Sequence, residues 1–526
     1  MIKRIKTIFE QNAERIFIVE SQTDRQLSYA DFYHMAVQAA LVLRQHGIGK
    51  SDRVAILLSN SVEFAALYFA CLFIGAEAVP INQSLNQREV SLIIRQAKAK
   101  LIVYCPSTRK LSDAYTDKLC RNLALLPLVE KNQNSVSEKD YLILDETQVE
   151  QSPDFQPLAD VRHDDVFSVN FTSGTTSMPK GVVHRIDSLF GNAAAFNEDY
   201  GISREHRFLH VLPMAYMAGF LNTLICPFIA GASVVLARQF DAQSAFRFWE
   251  PVIQHQANTF WLTPTMLSIL FRIDRNNDGV EYCHRHVKKI FVGTAPLPLK
   301  VKDDFEKKYG IEVFESYGLS ELLFISANSE IHRRKEGSVG RILKGIEIRV
   351  YNDDNILLPA GESGEIWVKT PYLTAGYLDH QTGETIPLDS NSWFPTGDIG
   401  YCDADGDLFI TGRKKDLIIR GGFNISPRGV EDIILRHPSV EQVAVVGLPH
   451  ELQGEEVVAV IQFKPGHNLA LERHSLDSLC RQELSPQSVP TKYLSIDEFP
   501  LSSSGKIQKN KLREIAMVSE SSHLQS

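Results

Sequence analysis

The residues best suited to chemistry lie in one loop, Phe171–Gly181, with the sequence FTSGTTSMPKG. Five of the six residues from Thr172 to Ser177 carry a hydroxyl group, and Lys180 adds a positive charge. Hydroxyl groups and the N–H groups of an irregular loop suit an oxygen-rich anion such as phosphate. The spacing is not that of a Walker A loop. The loop is therefore a candidate phosphate site, and the alternative is an ordinary polar surface loop.

The sequence TSGTTSMPKGVVH resembles the phosphate loop of the acyl-adenylate-forming (AMP-binding) superfamily. That superfamily includes acyl-CoA synthetases, aryl-CoA ligases, luciferases and the adenylation domains of peptide synthetases. Further segments resemble its motifs, in its order, along almost the whole chain: Leu212–Gly219 (LPMAYMAG), Val292–Pro296 (VGTAP), Glu315–Glu321 (ESYGLSE), Trp393–Asp398 (WFPTGD), Gly412–Asp416 (GRKKD) and Pro500–Ile507 (PLSSSGKI). The chain is therefore similar to an AMP-forming acid–thiol ligase, of the acyl-CoA synthetase kind.

The resemblance implies a nucleotide site assembled from several of these segments. Glu321 would hold Mg²⁺, a hard cation that prefers carboxylate oxygen. Asp398 would accept hydrogen bonds from the ribose hydroxyl groups of ATP, for which a carboxylate is a natural acceptor. The other residues implied to bind ATP are Thr172, Ser173, Gly174, Thr175, Thr176, Lys180, Gly293, Thr294, Ala295, Ser316, Tyr317, Gly318, Ser320 and Arg413.

The resemblance also implies a catalytic lysine and a hinge. Lys506, within a Ser- and Gly-rich segment, matches the catalytic lysine, and Lys415 matches the hinge residue. An N-terminal domain, residues 1–412, would bind ATP and the acid, residues 413–416 would be the hinge, and residues 417–526 would form a mobile C-terminal domain. Attack of a carboxylate on the α-phosphorus brings two anions together, so positive charge must be in place beforehand. Lys506 and Mg²⁺ on Glu321 would supply that charge, pyrophosphate would leave, and a thiol would then attack the acyl-AMP.

The resemblance implies that the acid binds in a pocket formed by Tyr216, Met217, Gly293 and Leu319. Many relatives have histidine where this chain has Tyr216. Relatives that activate amino acids usually place an aspartate in this segment to pair with the α-ammonium group, and no carboxylate stands here. A buried, unpaired ammonium group is unfavourable. We therefore expect a fatty or aromatic acid, with Trp261, Met266, Leu323 and Phe324 in further segments near the pocket.

Coenzyme A is the expected acceptor of the acyl group. The chain contains no carrier-domain motif, so a separate acyl or peptidyl carrier protein is the alternative acceptor. Three further alternatives are a stand-alone adenylation enzyme for amino acids, a light-emitting or oxygenating relative that uses the same adenylate, and a non-catalytic nucleotide-binding relative. The presence of Lys180, Glu321, Asp398, Arg413 and Lys506 argues against the non-catalytic reading.

The elements that must position these residues have an α/β pattern. Arg53–Leu58 is an apolar run typical of a buried strand, and Glu63–Gly75 is typical of a buried helix. Ser28, with Asp31 three positions later, predicts a helix N-cap. Val166–Phe171 alternates apolar and polar residues, which predicts a strand that leads into the phosphate loop. Strands that alternate with helices predict a parallel sheet.

The last third of the chain has a different pattern of apolar and turn residues. Gly337–Leu408 contains short runs separated by turn residues, which predicts a small antiparallel unit. After it, helical patterns and strands predict a separate domain of about a hundred residues, whose Ser-rich tail after Met517 is expected to fray. With the resemblance, the expected fold class is α/β: a large N-terminal domain of parallel-sheet α/β subdomains plus a small β-barrel unit, followed by a small mobile α+β C-terminal domain.

Composition excludes several classes of protein. The 526 residues exceed what one core usually holds. A net charge of −9 and the lack of a basic stripe argue against a nucleic-acid partner. Seven cysteines without a C-x-x-C pair are typical of a reducing compartment. We find no apolar run long enough for a membrane span and no secretory signal, so a cytoplasmic location is expected.

Overall fold

The computed structural model describes residues 1–112, 120–125, 127, 130, 142–144, 155–172, 179–275, 277–332, 334–501 and 507–523, with backbone alone for 519–523. The first strands are β1 (Ile16–Glu20), β2 (Arg25–Ser28), β3 (Arg53–Leu57), β4 (Glu77–Pro80), β5 (Leu101–Tyr104), β6 (Arg121–Ala124), β7 (Val166–Thr172), β8 (Lys180–Arg185), β9 (Arg207–His210), β10 (Ser233–Leu236), β11 (Thr259–Leu262), β12 (Lys289–Val292), β13 (Val313–Leu319) and β14 (Leu323–Ala327). They are followed by β15 (Ser338–Ile342), β16 (Glu347–Tyr351), β17 (Gly364–Lys369), β18 (Gly376–Leu378), β19 (Thr385–Pro387), β20 (Phe394–Cys402) and β21 (Asp407–Arg413). The last are β22 (Ile418–Arg420), β23 (Phe423–Ile425), β24 (Val440–His450), β25 (Gly454–Phe463) and β26 (Lys492–Ser495).

The helices lie mainly between the strands of the first half of the chain. They begin with α1 (Ile2–Gln11), α2 (Tyr29–Gln45), α3 (Val62–Ile74), α4 (Gln87–Ala97), α5 (Arg109–Ser112), α6 (Ile186–Asp199), α7 (Cys226–Ala230) and α8 (Ala242–Ala245). They continue with α9 (Trp249–Gln254), α10 (Pro264–Ile273), α11 (Asp278–His286), α12 (Leu299–Tyr309), α13 (Pro427–Ile434), α14 (Leu469–Glu483) and α15 (Lys509–His523). Pro106–Thr108 and Lys414–Asp416 are 3₁₀ turns, and Ala218–Ile225 is a π-helix.

Three sheets carry these strands. The first has thirteen strands in the order β16-β17-β20-β21-β15-β14-β13-β12-β11-β9-β10-β1-β2. The second has eight, in the order β19-β18-β8-β7-β4-β3-β5-β6, and the third is β23-β22-β25-β24 with β26 beside β25. Strands β9 to β13 pair in parallel, as do β3 with β4 and with β5. The predicted parallel α/β architecture is confirmed.

The strands of the predicted small antiparallel unit do pair with each other in antiparallel orientation. However, they extend the first sheet. Strand β15 pairs with β14, which continues to β13 and the parallel strands. Strands β18 and β19 instead join the second sheet through β8. The sequence predicts short strands here because turn residues are local signals, whereas the sheet that each strand joins depends on distant partners.

Local capping sets the ends of the early helices. The Ser28 side chain accepts from the N–H of Asp31, and the Asp31 carboxylate accepts from the N–H of Ser28, so the predicted capping box of α2 is present. Helix α3 ends at Gly75, whose φ of +70° lies in the left-handed region that favours glycine. These signals lie within a few residues of each other, which is why the sequence predicts them.

The core is shared by both large sheets. One cluster packs strands of both sheets against α2, α3 and α6, with an aromatic group that includes Phe9, Phe69 and Phe228. The third sheet has apolar clusters on both of its own faces, one containing Val445 and the other Val446. Within the described ranges, no helix is both long and apolar enough to cross a membrane.

A buried ion pair supports the strand that carries the ESYGLSE segment. Lys302 Nζ on α12 lies 2.7 Å from Glu315 Oε1 on β13, and both side chains are 5% exposed. Removal of one partner leaves the other charge buried and unpaired. We expect Lys302→Met to lower the free energy of unfolding by about 3–5 kcal/mol, measured by urea denaturation with tryptophan fluorescence.

The matched control is Lys300→Met on the same helix, because Lys300 pairs with Asp304 in solvent, with side chains 42% and 35% exposed. Such surface pairs contribute less than about 1 kcal/mol. Equal losses from the two variants would contradict the assigned importance of the buried pair.

Candidate active site

A cavity of about 1190 Å³ brings together segments from distant parts of the chain. Of the residues predicted from sequence, those that line it are Thr172, Lys180, Tyr216, Met217, Trp261, Met266, Thr294, Ser316, Tyr317, Gly318, Leu319, Ser320, Glu321, Leu323, Phe324, Asp398, Arg413 and Lys415. Gly293 and Ala295 do not line the cavity, although their neighbour Thr294 does. Ser173, Gly174, Thr175, Thr176 and Lys506 lie outside the described residues.

The two ends of the hydroxyl-rich loop are fixed by a strand pair. Strands β7 and β8 run antiparallel, and Thr172 is the register partner of Lys180. Both residues line the cavity. Gly181 permits close packing beside this pair, because a Cβ there would lie 3.0 Å from the ring of Phe171. The loop between these strands therefore begins and ends at the cavity.

Glu321 lies in the turn between β13 and β14. The two strands pair antiparallel, with Leu319 opposite Leu323, which makes the segment a hairpin. The Tyr377 hydroxyl donates to Glu321 Oε1 at 3.1 Å. Lys180 Nζ lies 4.0 Å from the same oxygen and 3.4 Å from the centroid of the Tyr377 ring.

Tyr377 is a residue that sequence reasoning missed. Burial, and after it the charge of Glu321, raise the pKa of Tyr377, so its hydroxyl stays protonated and remains a donor. Oε2 of Glu321 has no hydrogen-bond partner among the described residues. The carboxylate thus has one oxygen fixed by protein donors and one left for a ligand, a donor set that fits a hard cation.

Asp398 is held by two donors before any nucleotide binds. It lies on β20 opposite Arg413 on β21, and it is 3% exposed. Arg413 Nε lies 2.9 Å from Oδ1 of Asp398, and the Tyr317 hydroxyl donates to Oδ2 at 2.7 Å. Burial, and after it the negative charge of Asp398, raise the pKa of Tyr317 well above its usual value. Each carboxylate oxygen can still accept a further bond.

Part of the cavity wall is the π-helix Ala218–Ile225, which begins at the end of the LPMAYMAG segment. π-Helices are often found at functional sites. In this one, Ala218, Gly219, Leu221 and Asn222 line the cavity. A Cβ on Gly219 would lie 2.1 Å from the carbonyl oxygen of Pro213, so only glycine fits there. Sequence reasoning missed Asn222, although an amide inside the apolar run from 220 to 230 is a signal that could have indicated it.

The facing wall is apolar. The residues that form it are Trp261, Met266, Ile269, Leu323 and Phe324. Trp261 stacks on Phe324 with the ring centroids 5.1 Å apart. Phe220, by contrast, packs in the core on Tyr68, with centroids 4.0 Å apart. The described cations that line the cavity, Lys180, Arg413, Lys414 and Lys415, all belong to the hydroxyl-rich loop or the GRKKD segment.

The C-terminal part of the chain reaches the same cavity. Leu501 lines it and forms an antiparallel bridge with Ile507, so the described residues that flank Lys506 are next to the site. Lys415 is exposed in a 3₁₀ turn after β21, and partial desolvation by the surrounding protein lowers its pKa. Arg428 on α13 donates to the carbonyl oxygen of Ile410 on β21 at 2.6 Å, so the C-terminal part of the chain also contacts the strand that carries Arg413.

Comparison with known proteins identifies the family to which the chain belongs. Residues 6–378 match the AMP-binding enzyme family, and residues 429–506 match the AMP-binding enzyme C-terminal domain. The chain therefore belongs to the AMP-binding enzyme family, the superfamily that its motifs resemble.

Individual relatives match over nearly their full length. The chain is 31% identical to the 2-succinylbenzoate–CoA ligase of Bacillus velezensis, over 95% of both chains. It is 30% identical to a long-chain-fatty-acid–CoA ligase of Mycobacterium tuberculosis, over 94% of both. Among solved structures it resembles ATP-bound MatB from Rhodopseudomonas palustris, with 27% identity and a TM-score of 0.83. The match covers 97% of this chain and 98% of MatB. A second similar structure is the o-succinylbenzoate CoA synthetase of Bacillus subtilis in complex with its acyl-adenylate intermediate. The identity is 26%, the TM-score is 0.79, and 97% of each chain is covered.

These matches confirm three predictions made from sequence: the superfamily, the fold class and the enzyme class. The chain is an ATP-using acid–thiol ligase, which activates a carboxylic acid as its adenylate before the acyl group passes to a thiol.

Proposed function

We propose that this enzyme is an acyl-CoA synthetase for an apolar acid with a single carboxylate. One observation carries the proposal: a single cavity joins the ends of the hydroxyl-rich loop, the Glu321 turn, the Asp398 cluster and an apolar wall. A nucleotide at the polar end and an acyl chain at the apolar end would meet between them. The products would be acyl-AMP and pyrophosphate, and then acyl-CoA and AMP.

The nucleotide would be oriented chiefly by Asp398. Its carboxylate would accept bonds from the ribose hydroxyl groups, while Tyr317 and Arg413 keep it in place. An acceptor that is already fixed needs no reorganisation when the ligand arrives. Thr172, Lys180 and the loop between them would hold the phosphates that leave as pyrophosphate.

Glu321 would hold Mg²⁺ through the oxygen that Tyr377 does not engage. When bound, the cation would reduce the negative charge on the phosphates. Lys180 is well placed to bind a phosphate oxygen, because its ammonium lies over the Tyr377 ring at the edge of the same turn. The residues present are therefore the types that a magnesium–nucleotide complex requires.

The chemical step would depend on Lys506. An oxygen of the acid's carboxylate attacks the α-phosphorus, the bond from that phosphorus to the bridging oxygen breaks, and the electron pair leaves with pyrophosphate. The Lys506 ammonium would contact both the attacking carboxylate and the α-phosphate oxygens. The positions of Leu501 at the cavity and of its bridge partner Ile507 support this role.

The acid is inferred from the charges that line the cavity. The apolar wall has no cationic side chain among the described lining residues. A second carboxylate on the substrate would be buried there without a partner, which is strongly unfavourable. This argues against a dicarboxylic acid, although one relative is named for 2-succinylbenzoate. A fatty or aromatic acid with one carboxylate fits the wall.

The test is a pyrophosphate-release screen with fatty, aromatic, dicarboxylic and amino acids. Each acid is supplied with CoA, with a carrier protein that bears phosphopantetheine, and with neither. We expect release only with apolar monocarboxylic acids, and thioester only with CoA. Thioester formed on the carrier alone would reassign the acceptor, and failure of every acid would contradict the proposal.

We further propose that residues 417–526 form a domain that turns about residues 413–416, relative to residues 1–412. The third sheet has apolar clusters of its own on both faces, as a separately packed body requires. Turning would withdraw Lys506 and admit CoA for the second step. Such a change requires the backbone at Lys415 to rotate.

We therefore expect Lys415→Pro to leave ATP–pyrophosphate exchange within about threefold and to slow thioester formation about 10²-fold, because proline fixes φ at the hinge. Exchange and thioester formation are measured separately on the same preparation. Lys415→Ala removes the side chain and keeps the backbone free, so it should retain more of the second step. Equal damage to both steps by the proline variant would count against a hinge at this residue.

A further inference from the structure

We propose that the acid activated by this enzyme carries one uncharged oxygen acceptor, a carbonyl or hydroxyl oxygen, on its apolar body, bound by the Trp261 indole N–H and the Asn222 amide. This inference rests on the proposed function and narrows its substrate class.

The first observation is an unpaired donor in the apolar wall. Trp261 is buried, and its Nε1 has no hydrogen-bond partner in the described part of the chain. Its ring lies nearly parallel to Phe291, at an interplanar angle of 22°, and to Phe324, at 26°. Because the N–H lies in the plane of the indole, it is not directed at either of these rings. A buried donor without a protein acceptor is unfavourable unless water or a ligand in the cavity supplies one.

The second observation locates the space that this donor borders. A Cβ on Gly293 would lie 3.6 Å from Trp261 Nε1 and 2.6 Å from Ser316 Oγ. Glycine at this position therefore leaves a small notch between two polar groups. Trp261 and Ser316 both line the cavity. Among the described residues, the Ser316 hydroxyl has one hydrogen bond, a long one of 3.3 Å to the carbonyl oxygen of Val292, so it can turn toward a ligand.

The third observation comes from the facing π-helix. Asn222 lines the cavity at 7% exposure, and its amide has no hydrogen-bond partner among the residues that the structure describes. The next residue, Thr223, does have partners within the protein. Its hydroxyl is hydrogen-bonded to the carbonyl oxygen of Gly219 at 2.9 Å and to His210 Nδ1 at 2.8 Å. Thr223 is thus satisfied within the protein, and Asn222 offers its amide to the cavity.

These donors suit a neutral oxygen. No cation lies on this part of the described lining, so an anionic group would be unpaired. A plain hydrocarbon would leave the indole N–H and the amide without partners in the complex. Sites built to bond a substrate oxygen strongly reject the analogue that lacks it. The arrangement therefore favours an oxo or hydroxy acid over the unsubstituted acid.

The test compares matched acids by ATP–pyrophosphate exchange. The pairs are octanoate with its hydroxy and oxo derivatives at successive carbons, and benzoate with 2-, 3- and 4-hydroxybenzoate. We expect at least one oxygenated acid to exceed its parent about 10²-fold in kcat/KM. Trp261→Phe, which keeps an aromatic ring, and Asn222→Leu should each reduce that preference about tenfold. Phe291→Leu, which changes the stacking and keeps both donors, should lower the two acids of a pair by the same factor.

The thermal midpoint and ATP binding of each variant show whether it is folded, and the two variants test the proposal independently. Parent acids that react as well as their oxygenated derivatives would overturn the inference and leave acid activation standing. So would variants that lower both members of a pair equally. Failure of every acid in the panel would instead contradict the proposed function on which the inference rests.

Discussion

Lys506→Ala is expected to lower ATP–pyrophosphate exchange at least about 10²–10³-fold, the usual cost of one preorganised charge donor. Two anions approach each other in the first step, and no other side chain of the closing PLSSSGKI segment carries a positive charge. Thioester formation from acyl-AMP supplied directly should be largely spared, because the phosphorus has already been attacked. Exchange of labelled pyrophosphate and single-turnover thioester formation measure the two steps.

Lys511→Ala is the matched control, because Lys511 is exposed on α15 a few residues further along the same segment. It should leave both steps unchanged within about twofold, as surface substitutions usually do. Normal exchange by Lys506→Ala would show that the catalytic cation lies elsewhere. Loss of both steps in equal measure would indicate a folding defect in the C-terminal part and not a missing charge.

Asp398→Ala should lower kcat/KM for ATP about 10²–10⁴-fold, since it removes the acceptor of two hydrogen bonds, each worth about 1.5–3 kcal/mol. The variant also leaves the Tyr317 hydroxyl and the Arg413 guanidinium without their shared partner. Steady-state kinetics with ATP as the varied substrate measure the loss. Asp405→Ala, in the exposed turn between the same two strands, is the control and should have little effect.

The sugar contact itself can be separated from structural damage with 2′-deoxy-ATP. The unaltered enzyme should discriminate against the deoxynucleotide, and Asp398→Ala should discriminate much less, because the two changes remove the same interaction. If the variant kept the full preference for ATP over the deoxynucleotide, Asp398 would have no part in binding the sugar, whatever its effect on overall activity.

Much of the fold is predictable because its signals are local. The caps around Ser28 and Gly75 and the apolar strands that precede helices depend on neighbours within a few residues. The Ser-rich tail after Met517 was predicted to fray, but α15 extends to His523. Leu512 and Ala516 of this helix are buried against the third sheet. Packing of that kind stabilises a helix that composition alone does not favour, and sequence patterns do not reveal it.

The site was predicted less completely, for a related reason. The motifs indicate that Glu321 and Asp398 matter, but not which residues hold them. Tyr377 contacts Glu321 across 56 positions of sequence, and Tyr317 contacts Asp398 across 81. Likewise, an unpaired donor such as the Trp261 indole N–H becomes visible only once its surroundings are known. The roles of Lys506 and of residues 173–176 remain predictions.

Gly219 limits how the acid specificity of this enzyme can diverge. A Cβ at this position would lie 2.1 Å from the Pro213 carbonyl oxygen, so no larger residue can be introduced without moving the backbone. One part of the proposed acyl site is therefore a fixed boundary. Remodelling for longer or bulkier acids has to use the apolar residues elsewhere on the lining, where Met266, Ile269 and Leu323 present exchangeable side chains to the cavity. Libraries that seek new substrates should be concentrated on those positions.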